Sequence, residues 1–128
     1  MAKLTAQITN ESEILIIIGD GESVIPTGVA GDVQVRFPCN ISEYSLLAEP
    51  SGSIKVDIWK DVYSNRPPTD ADTICGGNDP EIVSGTGVED TVLTGWTKTI
   101  AKGDILRFNV DSCSLVKRAT LSLLVGKT

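Results

Sequence analysis

Strict alternation of apolar and polar residues is the feature that most constrains this chain. Ile54, Val56 and Ile58 alternate with Lys55 and Asp57, and Val33, Val35 and Phe37 with Asp32, Gln34 and Arg36. Leu106, Phe108 and Val110 alternate with Arg107 and Asn109, and Ala119, Leu121, Leu123 and Val125 with Arg118, Thr120 and Ser122. A period of two residues places all apolar side chains of a strand on one face. Ile14–Ile18 is instead continuously apolar, which predicts a strand covered on both faces. Leu4–Ile8 is a weaker strand candidate. Turn chemistry separates the runs: Gly19-Asp20-Gly21, Pro50-Ser51-Gly52, Gly76-Gly77-Asn78-Asp79-Pro80, Gly85-Thr86-Gly87 and Lys102-Gly103-Asp104. No long stretch carries a helical period. At most one short helical turn is expected, at Pro68–Ile74 with Thr69 as its cap. The expectation is an all-β fold, an antiparallel β-sandwich of jelly-roll-like form.

A chain of 128 residues fits one domain able to bury a core without metals or disulfides. The net charge of −6 repels phosphate backbones, so no nucleic-acid partner is expected. The apolar run Ile14–Ile18 is far too short for a membrane span, and Glu11 and Glu13 stand where a signal peptide would be basic. No membrane partner is expected, and any extracellular role would come through assembly into a released particle.

Chemistry is poorly supplied. The chain has no histidine, which removes the commonest general base and metal ligand. Serines and Cys75 offer nucleophiles without an evident base, so no enzymatic activity, catalytic residue or cofactor is expected. Asp57, Asp61, Asp70 and Asp72 read as solvated loop charges; neither a glycosidase pair nor a calcium loop is spelled, because DADTICGGNDPE lacks the regular ligand spacing. GTGVED lacks the lysine of a phosphate loop, and the sequons at Asn10 and Asn40 have no secretory context. Cys39, Cys75 and Cys113 are widely spaced, with no metal or redox motif. An odd count leaves buried thiols or a disulfide between subunits open. Trp59 falls on the polar phase of its strand, where a loop such as Arg66-Pro67-Pro68, a subunit interface or a ligand would cover it; Tyr63 and Trp96 are further interface or ligand candidates.

Several segments together carry a resemblance. SGSIKVDIWKDVYSNRPPTDADTI, VLTGWTKTIAKGDILRFNVDS and RATLSLLVGK, with GESVIPTGVAGDVQVRFPCNISEYSLLAEPSGSI before them, resemble a β-sandwich domain of tailed-bacteriophage virion proteins. The likeness covers about residues 14–127, through an IWKD…PPT strap, an LTGW turn and a GD-L-RF-V strand. It implies a free-standing virion structural protein on the particle surface, made in the host cytoplasm. The reading it favours is a capsid decoration (cement) protein, a homotrimer bound to the major capsid protein or another virion protein. The alternative it leaves is a tail or fibre-tip adhesin binding a host glycan. Residues 14–128 would form the domain, and residues 1–13 would be ordered by a neighbouring subunit. Cys39 fits the family pattern while Cys75 and Cys113 depart from it, which favours a disulfide between subunits.

Overall fold

The computed structural model describes residues 10–128. The described residues fold into seven antiparallel strands: β1 (Glu11–Ile18), β2 (Gly28–Gln34), β3 (Cys39–Asp61), β4 (Glu81–Asp90), β5 (Thr99–Ile100), β6 (Ile105–Ser114) and β7 (Arg118–Lys127). They form an antiparallel β-sandwich. Its two layers share β3, which runs 23 residues and changes partner midway. Its first half, from Cys39 to Glu49, pairs with β7, and its second, from Ser53 to Asp61, pairs with β6. One layer is therefore β1-β7-β3 and the other β2-β6-β3, with β4 following β3 through both. A strand that switches sheets needs a corner. Gly52 makes this one: a Cβ there would collide with the Ser114 carbonyl and the side chains of Leu115 and Val116, where β6 turns into β7.

The inner faces close one core. Ile14, Ile18, Leu121, Leu123 and Val125 from the first layer meet Ile54, Val56, Ile58, Phe108 and Val110 from the second. Leu46, Val56, Ile58, Leu106, Leu121 and Leu123 are fully enclosed. The period-2 positions read in Ile54–Ile58, Leu106–Val110 and Ala119–Val125 all point inward as expected. No helix among the described residues is long and apolar enough to cross a membrane.

Four readings need correction. Ile14–Ile18 is covered on one face only, because β1 is an edge strand: Ile14 and Ile18 are buried while Leu15 and Ile17 are exposed. Pro50-Ser51-Gly52 and Gly85-Thr86-Gly87 lie inside β3 and β4, where they bend strands instead of ending them. Two 3-10 turns occur where at most one was expected. Asp70–Asp72 is the anticipated one, closed by a reciprocal Thr69–Asp72 capping box, and Tyr63–Asn65 is additional. The division at residue 13 falls within a strand, since Glu11–Glu13 pair with Gly126–Leu124 of β7. Residues 1–9, including the Leu4–Ile8 strand candidate and most of the segment assigned to a neighbour contact, lie outside the described residues.

Candidate functional site

Of the residues singled out in the sequence, Asp57, Trp59 and Cys75 meet where β3 loses β4 as its neighbour, whereas Asp61 binds Asn65 of the first 3-10 turn and Asp70 and Asp72 lie in the second. Pairing of β3 with β4 ends at Lys55↔Glu81. Beyond it the chain preceding β4 takes over: Thr73 bridges Trp59, the Ile74 amide donates to the Ile58 carbonyl at 2.9 Å, and the Val56 amide donates to Pro80 at 2.9 Å. Residues 74–80 thus arch over Asp57, which points out of the sheet and yet is only 5% exposed.

A buried carboxylate needs its hydrogen bonds satisfied. The Asp57 Oδ1 accepts from the Ile58 amide at 2.8 Å and from the Thr73 hydroxyl at 2.6 Å. Its Oδ2 accepts from the Trp59 indole at 2.9 Å. One side chain therefore ties the strand, the strap and the outward tryptophan. Trp59 is half-buried against this lock. Its indole donates to Asp57 and its backbone bridges Thr73, while Pro68 of the following segment is buried.

The far end of the arch is fixed to the LTGW turn. Trp96 donates its indole N–H to the Asn78 carbonyl at 2.9 Å, Asn78 returns its amide to Thr94 at 2.7 Å, and the Thr97 amide donates to Ile74 at 2.8 Å. Gly76, at φ 58°, faces the Gly95 carbonyl so closely that a Cβ would overlap it. Trp96 is only 7% exposed and stacks on Tyr44 with ring centroids 5.5 Å apart. It is a core residue, which corrects its assignment as an interface or ligand aromatic. Tyr63 is 52% exposed at the tip of the first 3-10 turn, but the Arg66 guanidinium lies over one ring face at 3.9 Å.

Acidic groups crowd beneath the arch. The donor atoms of Asp57, Cys75 and Asp79 lie within 4.8 Å of one another. Burial pushes the Asp79 carboxyl up to about 6, reinforced by the charge of Asp57 and by a hydrogen bond with Asp111; Lys55 acts in the opposite direction. Asp111 also accepts from Asn109 at 2.7 Å. Hard cations take six or more oxygens, and here Asp57 already serves three donors while the third group is a thiol. The arrangement fits a structural lock better than the calcium loop weighed from composition. The sequence flagged Asp57 and Cys75 but not Asp79 or Asp111, which come together only through the arch and the β3–β6 register.

The cysteines are all free. Cys39 and Cys75 are 1% and 0% exposed, and burial raises both thiols, so neither is presented to another subunit. Their assignment to an inter-subunit disulfide is corrected on that ground. Cys113 is half-buried near the β6–β7 corner, its sulfur 3.4 Å from the Val116 carbonyl, and burial raises it as well.

No protein-family profile matches the chain, and no curated protein does. Among solved structures, one match is titled "Structure of infectious bursal disease virus Gx strain", with a TM-score of 0.31 and 11% identity. The alignment covers 92% of this chain and 37% of that one. A likeness at that level is too distant to carry function across.

Proposed function

We propose that the chain is a non-enzymatic structural protein of a virus particle, a capsid-surface decoration protein that assembles as an oligomer and stabilises the head. The observation that carries this reading is where the phage-like segments fall. The segment SGSIKVDIWKDVYSNRPPTDADTI supplies the Asp57–Thr73–Trp59 lock, the LTGW turn sends Leu93 and Trp96 into the core, and GDILRFNV runs into β6 with its inward Leu106, Phe108 and Val110. What the chain shares with the phage domain is thus scaffold, and its most elaborate polar cluster holds a loop in place. A shell component has that need: a rigid, stiffly tied surface and no turnover.

The measurement that tests it is copy number, by quantitative mass spectrometry of purified particles. Decoration predicts a count comparable with that of the capsid subunits; a handful of copies would overturn it and favour a tail or fibre tip. The adhesin reading has one feature in its favour, the exposed Tyr63 on a loop tip, but Arg66 covers one face of that ring.

A further inference from the structure

The edges of the sandwich are not alike. A free strand edge offers unpaired amides and carbonyls, and soluble proteins ordinarily blunt it with bulges, charges, proline or short length. β2 is blunted: its register with β6 slips between Val29 and Gly31, and Asp32 on it is held by Arg107 in a paired bond at 2.8 and 2.9 Å. β4 is blunted too, with two register shifts and Ser84 in the left-handed region at φ 48°. Among the described residues β1 has no bulge, no proline and no covering strand, and its charges stand at one end only. It pairs with β7 over eight residues without a shift, from Glu11↔Gly126 to Ile18↔Ala119. It has no proline or lysine, and from Ile14 to Gly19 no charge. On its outer face Leu15 and Ile17 are 49% and 60% exposed. The apolar surface continues inward across the sheet, since Ile17 lies beside Thr120 and Thr120 beside the exposed Leu47.

We propose that the free edge of β1 is a self-association surface, joining two copies of this chain by antiparallel β1–β1 pairing about a two-fold axis at Ile16. The apolar segment Ile14–Gly19 is flanked by acidic residues on both sides, and antiparallel pairing keeps those charges outside the ladder. All β1 charge sits at one end, as Glu11 and Glu13. Parallel pairing in register would set each glutamate beside its own copy, which is unfavourable for directly opposed like charges. Antiparallel pairing about Ile16 confines the ladder to Ile14–Ile18 and leaves Glu11 and Glu13 beyond it, facing the partner's Gly19–Glu22 bend with its Asp20 and Glu22 instead of their own copies. It sets Leu15 opposite the partner's Ile17 on the outer face, and Ile14 opposite the partner's Ile18 on the inner one. Every central cross-strand pair is then apolar, and two chains of net charge −6 meet along their uncharged segment. The edge is self-complementary, as an isologous interface requires. The pairing deepens the proposed assembly role by naming its contact surface, and stands without that role.

Sedimentation equilibrium of the purified full-length chain tests it. Wild type should be a reversible dimer. Ile17→Lys, a change at an exposed position, should keep the far-UV spectrum and raise the dissociation constant about tenfold or more. The register has its own test in a Cys113→Ser background. A mixture of Leu15→Cys and Ile17→Cys chains should oxidise to a heterodimer, while either alone should cross-link poorly. A monomer at all concentrations, a trimer, a dimer unmoved by Ile17→Lys, or equal cross-linking of the single variants would each overturn the pairing. Copy number on the particle is a separate readout, so an abundant but monomeric chain would sink this inference alone.

Discussion

At the scale of single residues, the acidic cluster under the arch makes the sharpest statement. Asp79 titrates near 6 in the folded protein, against 3.8 for an unhindered carboxyl, with Asp57 and Asp111 as its like-charged neighbours and Lys55 as its opposing one. The folded state therefore holds this proton more tightly than the unfolded state does. Between those two values stability falls as pH rises, and above about 6 the full penalty is present. Asp79→Asn removes the charge at every pH. It should stabilise at pH 7.5 by on the order of 1 kcal/mol after discounting for solvent screening, or about 3 °C in Tm. The gain should be mostly lost by roughly pH 4 and vanish at about pH 3, where both states of the parent are largely protonated. Thermal scans at the first and last of these pH values check it, and a gain equal at both would contradict the cause given. Gly76→Ala, beside the same cluster, drives a methyl group toward the Gly95 carbonyl from a left-handed backbone. It should destabilise by roughly 2–3 kcal/mol in urea titration, since neither loop is free to move aside.

At the scale of elements, the alternating runs were legible in the sequence and their junctions were not. Ile54–Ile58 and Ala119–Val125 fixed their own inner faces, because a period of two has one solution once a core exists. The first half of β3 escaped notice for a physical reason. A register shift between Ile41 and Glu43 breaks the alternation, so Cys39, Ile41, Tyr44, Leu46 and Ala48 face inward out of phase. Pro50 and Gly52 read as a turn, yet a strand crossing between layers needs just such residues at its corner. Of the candidate site, Asp57, Trp59 and the Thr69 cap could be named from their spacing. Asp79 and Asp111, 32 positions apart, are neighbours only through tertiary pairing. The LTGW turn shows the same limit, since Trp96 looked available until Tyr44 was found stacked on it. Trp96→Ala should cost about 3–5 kcal/mol and free the Asn78 end of the arch. Faster hydrogen exchange at Asn78 and Thr97, compared with wild type, would report that release.

At the scale of the whole molecule, the three thiols measure how the sandwich opens. Cys75 lies in the arch with its side chain turned inward and Cys39 at the start of β3, both closed to solvent, whereas Cys113 sits half-exposed at the corner where β6 gives way to β7. Reaction with an aromatic disulfide reagent needs both exposure and thiolate, and burial opposes the thiolate in all three. The native chain should therefore label slowly at one position, Cys113, and peptide mapping should find it there. Cys75 is held by the arch and so by a local unit, tied to the sheet through Asp57 and to the LTGW turn through Asn78. Cys39 is paired on both sides, with β5 and with β7, so exposing it requires breaking the first layer. Local opening takes less free energy than global unfolding, and the ratio of labelling rates measures the difference. The expected order is Cys113, then Cys75, then Cys39, with Asp57→Ala accelerating Cys75 while leaving the rank of Cys39 unchanged. Simultaneous labelling of Cys75 and Cys39 would mean that the arch opens only with the sandwich itself. The Asp57 lock would then be an inseparable part of the core and not a fastening laid over it.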